Sequence, residues 1–372
     1  MRGERLMKVV TVVGARPQFI KAALVSRAMK KAGINEVLVN TGQHYDYNMS
    51  KKMFEDLCMD DPKYDLEIGS MKQVEQVAAM MEKLAPIVAK EKPEMVLVYG
   101  DTNSTLAGAL VACKMKLDLA HVEAGLRSFD RTMQEEINRI LTDRVSTLLF
   151  CPTKTAIDNL RNEGMSEGVY NVGDIMYELA MNMADMAAKR SGILEKLKIE
   201  AGKYVLATVH RAANTDSPSR LTSIVRGLSG IKGTVVFPVH PRTRKMLEKF
   251  DLLEKLEKSG NIKITEPVGY LDMIDLERNA RKIITDSGGV QKEAYFFKVP
   301  CITLRDRTEW TETLGNGWNR LVDVDFKRIV TEASSDLKPG RHCNHYGDGD
   351  TSSEIIKILK KGVKKDGKGK GK

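Results

Sequence analysis

The chain has 372 residues, enough for two domains of ordinary size, and 42% of them are hydrophobic, which is enough to build real cores. No run approaches the ~20 apolar residues of a membrane helix, and Met1 to Leu6 is short and charged, so we predict a cytoplasmic protein. The five cysteines are scattered and the six histidines form no HExxH pattern. We therefore expect neither a disulfide framework nor a metal site.

The net charge of +9 is unevenly distributed. The segment Lys360 to Lys372 contains seven lysines and one aspartate, an excess of +6, so the rest of the chain carries only +3. This composition predicts a basic disordered tail over residues 361–372. Such a tail could contact nucleic acid or an anionic surface. A solvated tail is the simpler interpretation, so we expect no specific nucleic-acid partner and no membrane.

Short β-branched runs alternate with amphipathic stretches from the start of the chain. The first run, Lys8 to Gly14, is followed by a helical pattern that ends at a glycine. Four more runs follow with helical stretches between them: EVLVNTG, MVLVYG, DLAHVE and LLFCPT. This alternation is typical of βαβ units and predicts a parallel sheet.

A charged helical stretch, Met186 to Ile199, then interrupts the alternation, which restarts with KYVLATVH, TVVFPVH, NIKITEP, RKIITD, VPCITL and NRLVDV. These six runs predict a second parallel sheet. The fold class is therefore α/β, with two Rossmann-like, doubly wound domains facing a cleft. We expect the first domain to cover residues 7–180 and the second residues 181–352. A terminal helix at 353–360 has no strand after it and could pack back onto the first domain.

Two strand-to-helix turns could bind phosphate, because ligands of open parallel sheets bind beyond the carboxyl ends of the strands. In GARPQFIK, free N–H groups at the helix start would join Arg16 and Lys21 as an anion site. In DSGGVQKE, small residues would let backbone donors approach a phosphate, and Glu293 could hold ribose hydroxyls. The alternatives are a helix start with two surface cations and an N-capped helix after a tight turn. The small residues of the second turn are Ser287, Gly288 and Gly289.

Several carboxylates follow strands of the first predicted sheet. Asp101 comes directly after MVLVYG, Glu123 ends DLAHVE, and QEEINR adds Glu135 and Glu136. Carboxylates near one cleft raise each other's pKa and suit proton transfer. The alternatives are that Asp101 caps the next helix and that the glutamates pair with arginines at helical spacing.

Histidine and arginine end two strands of the second sheet. TVHRAAN supplies His210 and Arg211, a pair suited to phosphate contact or proton transfer. PVHPRTRK repeats the theme with His240. A lone histidine is more often structural, and the second motif reads equally well as a basic surface turn.

The motifs GARPQFIK, GDTNST, HVEAGLRS, EEINR, VGD, HR, PVHPRT and DSGGVQKE, in this order, resemble those of the non-hydrolysing UDP-N-acetylglucosamine 2-epimerases. The resemblance runs from about Val9 to Asp323. It implies the glycosyltransferase-B arrangement, a homodimer, and no NAD, metal or other cofactor. It also implies interconversion of UDP-N-acetylglucosamine and UDP-N-acetylmannosamine, through elimination of UDP to a 2-acetamidoglucal and re-addition of UDP.

The resemblance implies roles for the matched residues. Asp101, Glu123 and Glu135 would handle protons and sugar hydroxyls, and His210 would be the catalytic histidine. The residues that would bind the diphosphate are Arg16, Lys21, Ser287, Gly288 and Gly289, with Glu293 on the ribose; Arg211 and His240 are further phosphate candidates from the residues themselves.

Some features leave other activities open. GARPQFIKA, GDTNSTLAGAL and LFCPT also resemble the sister enzymes acting on UDP-2,3-diacetamido-2,3-dideoxy-glucuronate. Three positions depart from the family pattern: Gln134 replaces a proline, Trp310 stands where arginine is common, and QHYDYNMS lacks the usual basic residue. A glycosyltransferase of the same architecture and a hydrolysing relative remain as alternatives.

Overall fold

The computed structural model of the protein describes residues 7–43, 59–336 and 338–362, without the side chain of Arg16. The segment HYDYNMS and residues 363–372 of the basic tail lie outside the described residues. The chain divides into two compact units. One comprises the residues up to Leu179 together with those from His345, and the other is Ala180–Asn344.

The sheet of the first unit is parallel throughout, in the order β3-β2-β1-β4-β5-β6-β7. This confirms the parallel sheet predicted from the alternation. The two edge strands were not predicted, because their residues, YD and VYN, include no apolar run and none of them is fully buried. The strands are β1 (Lys8–Val13), β2 (Asn35–Asn40), β3 (Tyr64–Asp65), β4 (Met95–Tyr99), β5 (Asp118–Val122), β6 (Leu148–Cys151) and β7 (Val169–Asn171).

Helices connect these strands and shield both faces of the sheet. On one face, Val10, Val12 and Val98 pack against Met80 and Leu84 of α2, and all five are fully buried. Burial of each such side chain stabilises the fold by about 1.5–3 kcal/mol. The helices are α1 (Arg16–Lys31), α2 (Gln73–Glu91), α3 (Asn103–Lys114), α4 (Gln134–Val145), α5 (Lys154–Asn162) and α6 (Ile175–Arg190), which runs on into the second unit.

The second unit contains a six-stranded parallel sheet in the order β10-β9-β8-β11-β12-β13. All six predicted strands are present. They are β8 (Tyr204–Thr208), β9 (Thr234–Pro238), β10 (Ile262–Thr265), β11 (Lys282–Thr285), β12 (Cys301–Thr303) and β13 (Asn319–Leu321).

Successive residues of β8 enter different cores, as expected for a strand buried on both faces. Val205 and Ala207 pack with Leu221 on one face, whereas Leu206 packs with Leu276 on the other. The helices of this unit are α7 (Ile193–Leu197), α8 (Ala212–Thr215), α9 (Pro218–Ser229), α10 (Pro241–Lys249), α11 (Leu253–Glu257), α12 (Tyr270–Arg278), α13 (Gly288–Phe296) and α14 (Phe326–Ser334), with a 3₁₀ helix at Thr311–Gly317.

The C-terminal helix α15 (Thr351–Lys361) belongs to the first unit, where it packs on α1. Glu178 accepts hydrogen bonds from the Ser352 backbone N–H at 2.7 Å and the Ser352 hydroxyl at 2.6 Å, which satisfies donors at the helix start. The helix is longer than the predicted 353–360 and includes Lys361, which the sequence placed in the tail. No helix of the described ranges has the length and apolar character required to span a bilayer.

Each sheet has one topological switch point, where the connections from two neighbouring strands run towards opposite edges of the sheet. In the first sheet β1 lies between β2 and β4, and in the second β8 lies between β9 and β11. Connections leave β1 and β4, and likewise β8 and β11, towards opposite edges, which opens a crevice at their carboxyl ends. The residues just after these strands are therefore the candidate functional residues of each unit.

Candidate functional site

The turn after β1 is built by Gln18, a residue the sequence motif did not single out. Its amide oxygen accepts hydrogen bonds from the backbone N–H groups of Gly14 at 2.9 Å and Ala15 at 3.1 Å. Its amide nitrogen donates to the carbonyl of Tyr99, at the end of β4, at 2.8 Å. Because Gln18 is buried, it ties together the ends of the two strands at the switch point.

Lys21 and Glu123 form an ion pair beside Gly100 in the first unit. Glu123 follows β5 and has a left-handed backbone, with φ of 70°, which is costly for a residue with a side chain. A Cβ on Gly100 would lie 3.4 Å from Glu123 Oε2 and 3.6 Å from Lys21 Nζ. Three segments therefore meet here, with the Lys21 ammonium on the Glu123 carboxylate.

Asp101 is the second carboxylate that the sequence placed at a strand end. Its side chain is held by Arg139 of α4, which also donates to Glu136 at 2.7 Å. Burial raises the pKa of Glu136, but hydrogen bonds from Ser128 and Phe129 and the charge of Arg139 outweigh burial, so this pKa lies below its ordinary value. Glu136 is therefore a structural carboxylate. Glu135, its neighbour in sequence, is exposed.

A buried chain of charges lies behind Glu123. His121 contacts Asp143 through Nδ1 at 2.7 Å, and Arg127 donates to the other carboxylate oxygen of Asp143 at 2.7 Å. Arg127 also makes a bidentate pair with Glu163, at 2.6 and 2.8 Å. The charged residues of HVEAGLRS thus separate into Glu123, which pairs with Lys21, and a structural set that supports it.

In the second unit, Asp286 organises the ends of β8 and β11. Its fully buried carboxylate accepts hydrogen bonds from the backbone N–H groups of His210 at 3.1 Å and Arg211 at 3.0 Å, and from the Asn214 amide at 3.1 Å. The strands themselves are joined by a 2.6 Å hydrogen bond between the Thr208 and Thr285 hydroxyls. These hydrogen bonds fix the backbone of His210 and Arg211 at the switch point.

The side chains after β8 and β9 form a cationic group. The His210 and His240 rings lie 5.7 Å apart, measured between centroids. Burial, His210 and Arg242 lower the pKa of His240, and burial together with Arg305 lowers the pKa of Arg211. Basic side chains that repel one another in this way are stabilised when an anion binds between them, so these side chains are suited to bind a phosphate.

The turn after β11 starts α13 with Ser287, whose hydroxyl accepts from the Val290 N–H. Ser287 is therefore an N-cap, the alternative interpretation of this motif, but a capped helix start is also able to bind an anion. Arg305 donates to Glu309 at 2.9 Å, and a Cβ on Gly288 would lie 2.7 Å from Glu309 Oε1. Two further donors are buried without a hydrogen-bond partner among the described residues: Arg305 Nη1 and Trp310 Nε1.

Glu293 lies on α13 next to a second buried carboxyl group. The Tyr270 hydroxyl donates to Glu293 Oε1 at 3.2 Å. Burial and the charge of Glu293 raise the pKa of Glu277 well above its ordinary value, and burial also raises the pKa of Glu293. Both oxygens of Glu277 are buried without a hydrogen-bond partner in the part of the chain that the structure describes.

The sequence pattern missed four residues that build this site: Gln18, Asp286, Arg305 and Glu277. A signal existed for Asp286, because it directly follows the buried strand RKIIT, in the same way that Asp101 follows MVLVYG. Gln18 bonds to nearby Gly14 and Ala15 but also to Tyr99, 81 positions away, and Glu277 lies beside Glu293 of another helix; periodicity could not reveal these distant contacts. Arg305 pairs with Glu309 four positions on, a spacing that could have indicated it.

Comparison with known structures defines the class of protein. The chain, with its two parallel-sheet α/β units, is similar to the crystal structure of the Methanocaldococcus jannaschii UDP-GlcNAc 2-epimerase in complex with UDP-GlcNAc and UDP. The TM-score is 0.83 with 44% identity, over 96% of this chain and 100% of that one. The fold is thus glycosyltransferase-B-like, as predicted.

The chain belongs to the UDP-N-acetylglucosamine 2-epimerase family, whose model matches residues 27–360. A Methanococcus maripaludis protein described as a UDP-N-acetylglucosamine 2-epimerase homolog is 52% identical over 357 residues, covering 95% of this chain and 99% of that protein. The Pseudomonas aeruginosa UDP-2,3-diacetamido-2,3-dideoxy-D-glucuronate 2-epimerase is 48% identical over 366 residues, covering 95% and 100%. The resemblance inferred from the ordered motifs is confirmed.

Proposed function

We propose that the protein interconverts UDP-N-acetylglucosamine and UDP-N-acetylmannosamine. The observation that carries this proposal is the placement of the charged residues at the two switch points. In the first unit, Lys21 of α1 pairs with Glu123, which follows β5 and lies against Gly100 at the end of β4; in the second unit, backbone amides and basic side chains follow β8. Membership of this family indicates that the ligand is a UDP-sugar.

The reaction needs proton transfer coupled to loss of UDP. A base removes the C2 proton while the C1–O bond breaks, so that the electron pair forms the C1–C2 double bond and UDP leaves as an anion. Protonation of C2 from the opposite face, with return of UDP to C1, gives the epimer. We assign the proton transfers and the sugar hydroxyls to Asp101, Glu123 and Glu135, with His210 as the catalytic histidine. Glu123 forms an ion pair with Lys21, and a carboxylate in such a pair is suited to accept a proton.

The departing diphosphate needs cations and N–H donors aimed at its developing charge. We assign this role to Lys21, Arg16 and Arg211, to His240, and to the start of α13. The buried, unpartnered donors of Arg305 and Trp310 are suited to complete the set. Glu293 would bind the ribose hydroxyls. The residues assigned at the helix start are Ser287, Gly288 and Gly289.

The test is proton NMR of the purified protein with UDP-N-acetylglucosamine in deuterated water. We expect the manno epimer to appear with deuterium at C2. Glu123→Gln should abolish exchange, whereas Glu82→Gln, an exposed residue of the same unit, should leave it unchanged. Reaction without an acceptor excludes a glycosyltransferase, and a stable total of UDP-sugar excludes the hydrolysing relative. Absence of both epimer and exchange would refute this substrate.

A second substrate, UDP-2,3-diacetamido-2,3-dideoxy-glucuronate, is favoured by one observation. The P. aeruginosa enzyme named for that sugar is 48% identical to this chain, above the 44% of the M. jannaschii UDP-N-acetylglucosamine 2-epimerase. The same deuterium assay with both sugars decides between them. The higher kcat/KM identifies the preferred substrate.

We also propose that the protein is a homodimer in the cytoplasm, where the nucleotide sugars it would use are held. Light scattering coupled to gel filtration should give twice the 41.5 kDa of the chain. A mass of one chain at assay concentration would refute the dimer.

A further inference from the structure

His121 is fully buried between a backbone carbonyl oxygen and a carboxyl group. Its Nε2 lies 2.7 Å from the carbonyl oxygen of Gly100, and its Nδ1 lies 2.7 Å from Asp143 Oδ1. A carbonyl oxygen has no proton to give, so Nε2 must carry one. The second proton of the pair is therefore shared between Nδ1 and the Asp143 carboxyl group.

The neighbours of Asp143 decide where that second proton resides. The other carboxylate oxygen of Asp143 accepts hydrogen bonds from the Gly125 N–H at 3.1 Å and from Arg127 Nη1 at 2.7 Å. These two donors, one of them a guanidinium, stabilise the ionised carboxylate. The proton therefore stays on the imidazole ring.

The resulting cation is neutralised within the unit. His121, Asp143, Arg127 and the half-buried Glu163 alternate in sign and contact one another in turn, so the four groups together carry no net charge. The other titratable group facing Asp143 is Cys151, and burial together with Asp143 raises the pKa of its thiol, so it remains neutral. A buried charge is tolerated when it is paired and hydrogen-bonded in this way.

His121 reaches the proposed catalytic carboxylates through one peptide. The Gly100 N–H donates to the Val122 carbonyl at 3.0 Å and the Gly100 carbonyl accepts from His121, so both backbone polar groups of this residue are held. Gly100 has φ of 63° and lies against the Lys21–Glu123 pair, and Asp101 is the next residue. A shift of this peptide would displace both carboxylates.

We infer that His121 is a buried imidazolium that fixes the Gly100 peptide and thereby aligns Asp101 and Glu123. It is a positioning residue, and this inference rests on the catalytic roles proposed above. The imidazolium donates to Gly100 and Asp143 at the same time, which a neutral ring cannot do with an ionised carboxylate. Loss of one of these bonds should lower kcat with little effect on KM.

The test combines NMR of the histidine nitrogens with kinetics. In ¹⁵N-labelled protein at pH 8, both nitrogens of His121 should show protonated-ring shifts, with the signal assigned by its loss in His121→Gln. In Asp143→Asn the ring should become neutral. We expect His121→Gln to lower kcat by on the order of 10²-fold with KM nearly unchanged, and to move the amide signals of Gly100 and Asp101. His342→Gln, in the second unit, is the control.

A neutral His121 ring in the wild-type protein at pH 8 overturns the inference. So does a His121→Gln variant that keeps both kcat and the Gly100 amide shift. If His121→Gln does not fold, the ¹⁵N spectrum of Asp143→Asn tests the inference instead, because the His121 ring should become neutral in that variant. Because the spectra need no turnover, they separate failure of this inference from failure of the proposed function.

Discussion

Asp286, at the end of β11, holds the backbone N–H of His210, at the end of β8, at 3.1 Å. The carboxylate is fully buried and also receives the Arg211 N–H, so it fixes the backbone of both residues that the second unit presents after β8. A charge with this role is structural even though it lies within the candidate site. Its removal should affect folding and nucleotide binding together.

In Asp286→Asn, one acceptor oxygen becomes an NH₂ group that faces N–H donors. We expect the free energy of unfolding to fall by about 2 kcal/mol, with weaker binding of UDP. Urea unfolding and calorimetric titration with UDP measure the two effects. Asp323→Asn breaks a partly exposed pair with Arg220 and should cost less than about 1 kcal/mol. Equal losses in the two variants would contradict the role of Asp286.

The Lys21–Glu123 pair can be tested by a double-mutant cycle. Lys21→Met and Glu123→Gln should each lower kcat/KM by on the order of 10²-fold or more, because both groups serve the same proton transfer. The double variant should be worse than Glu123→Gln, since Lys21 is also assigned to the diphosphate, but by less than the product of the two single losses. Lys30→Met, on the same helix but in an exposed pair with Asp60, is the control. Losses that simply multiply would show that Lys21 and Glu123 act independently.

The buried Glu277 predicts a particular dependence of stability on pH. Burial and Glu293 raise its pKa above the ordinary value of 4.5, so the folded state retains a proton that the unfolded state releases. The contribution of Glu277 to the free energy of unfolding is therefore complete below pH 4.5 and is lost as the pH rises towards the pKa of Glu277 in the folded state. The fall from this group cannot exceed about 1.4 kcal/mol per pH unit.

Glu277→Met keeps the volume and removes the titration. The stability of this variant relative to the wild type should rise steadily with pH, measured by urea unfolding from pH 5 to pH 8. Glu254→Met, at an exposed position, should show no such trend. A constant difference between Glu277→Met and the wild type would mean that Glu277 does not hold a proton.

Gly125 in HVEAGLRS is required for two separable reasons. Its φ is 79°, and a Cβ would lie 2.3 Å from the carbonyl oxygen of Ala156, which is backbone and cannot move aside cheaply. Gly164 has a similar φ of 77° but nothing within 4 Å. Gly164→Ala should cost about 1–2 kcal/mol from the left-handed backbone alone. Gly125→Ala should cost about 1–3 kcal/mol more, and equal thermal stability of the two variants would argue against the clash.

Much of the site could be predicted from sequence because its residues directly follow apolar runs. Asp101 and His210 were found in this way, since the end of a strand is visible in the pattern. The pairing of Lys21 with Glu123 was not visible, although both were named, because 102 positions separate them. The sequence also could not show that the neighbouring residues Glu135 and Glu136 have different surroundings. Only the fold shows that one is exposed and the other is hydrogen-bonded to Ser128 and Phe129.

The sequence by itself determined the α/β class, the two sheets and the ordered motifs, because hydrophobic periodicity and turn residues are local properties of the chain. Tertiary structure decided the order of strands across each sheet, which places β1 beside β4 and β8 beside β11. It also decided which charges are structural, as for His121, Asp143 and Asp286. The physical reason is that a charge acquires its role from the partners that folding brings to it, and those partners lie far away along the chain.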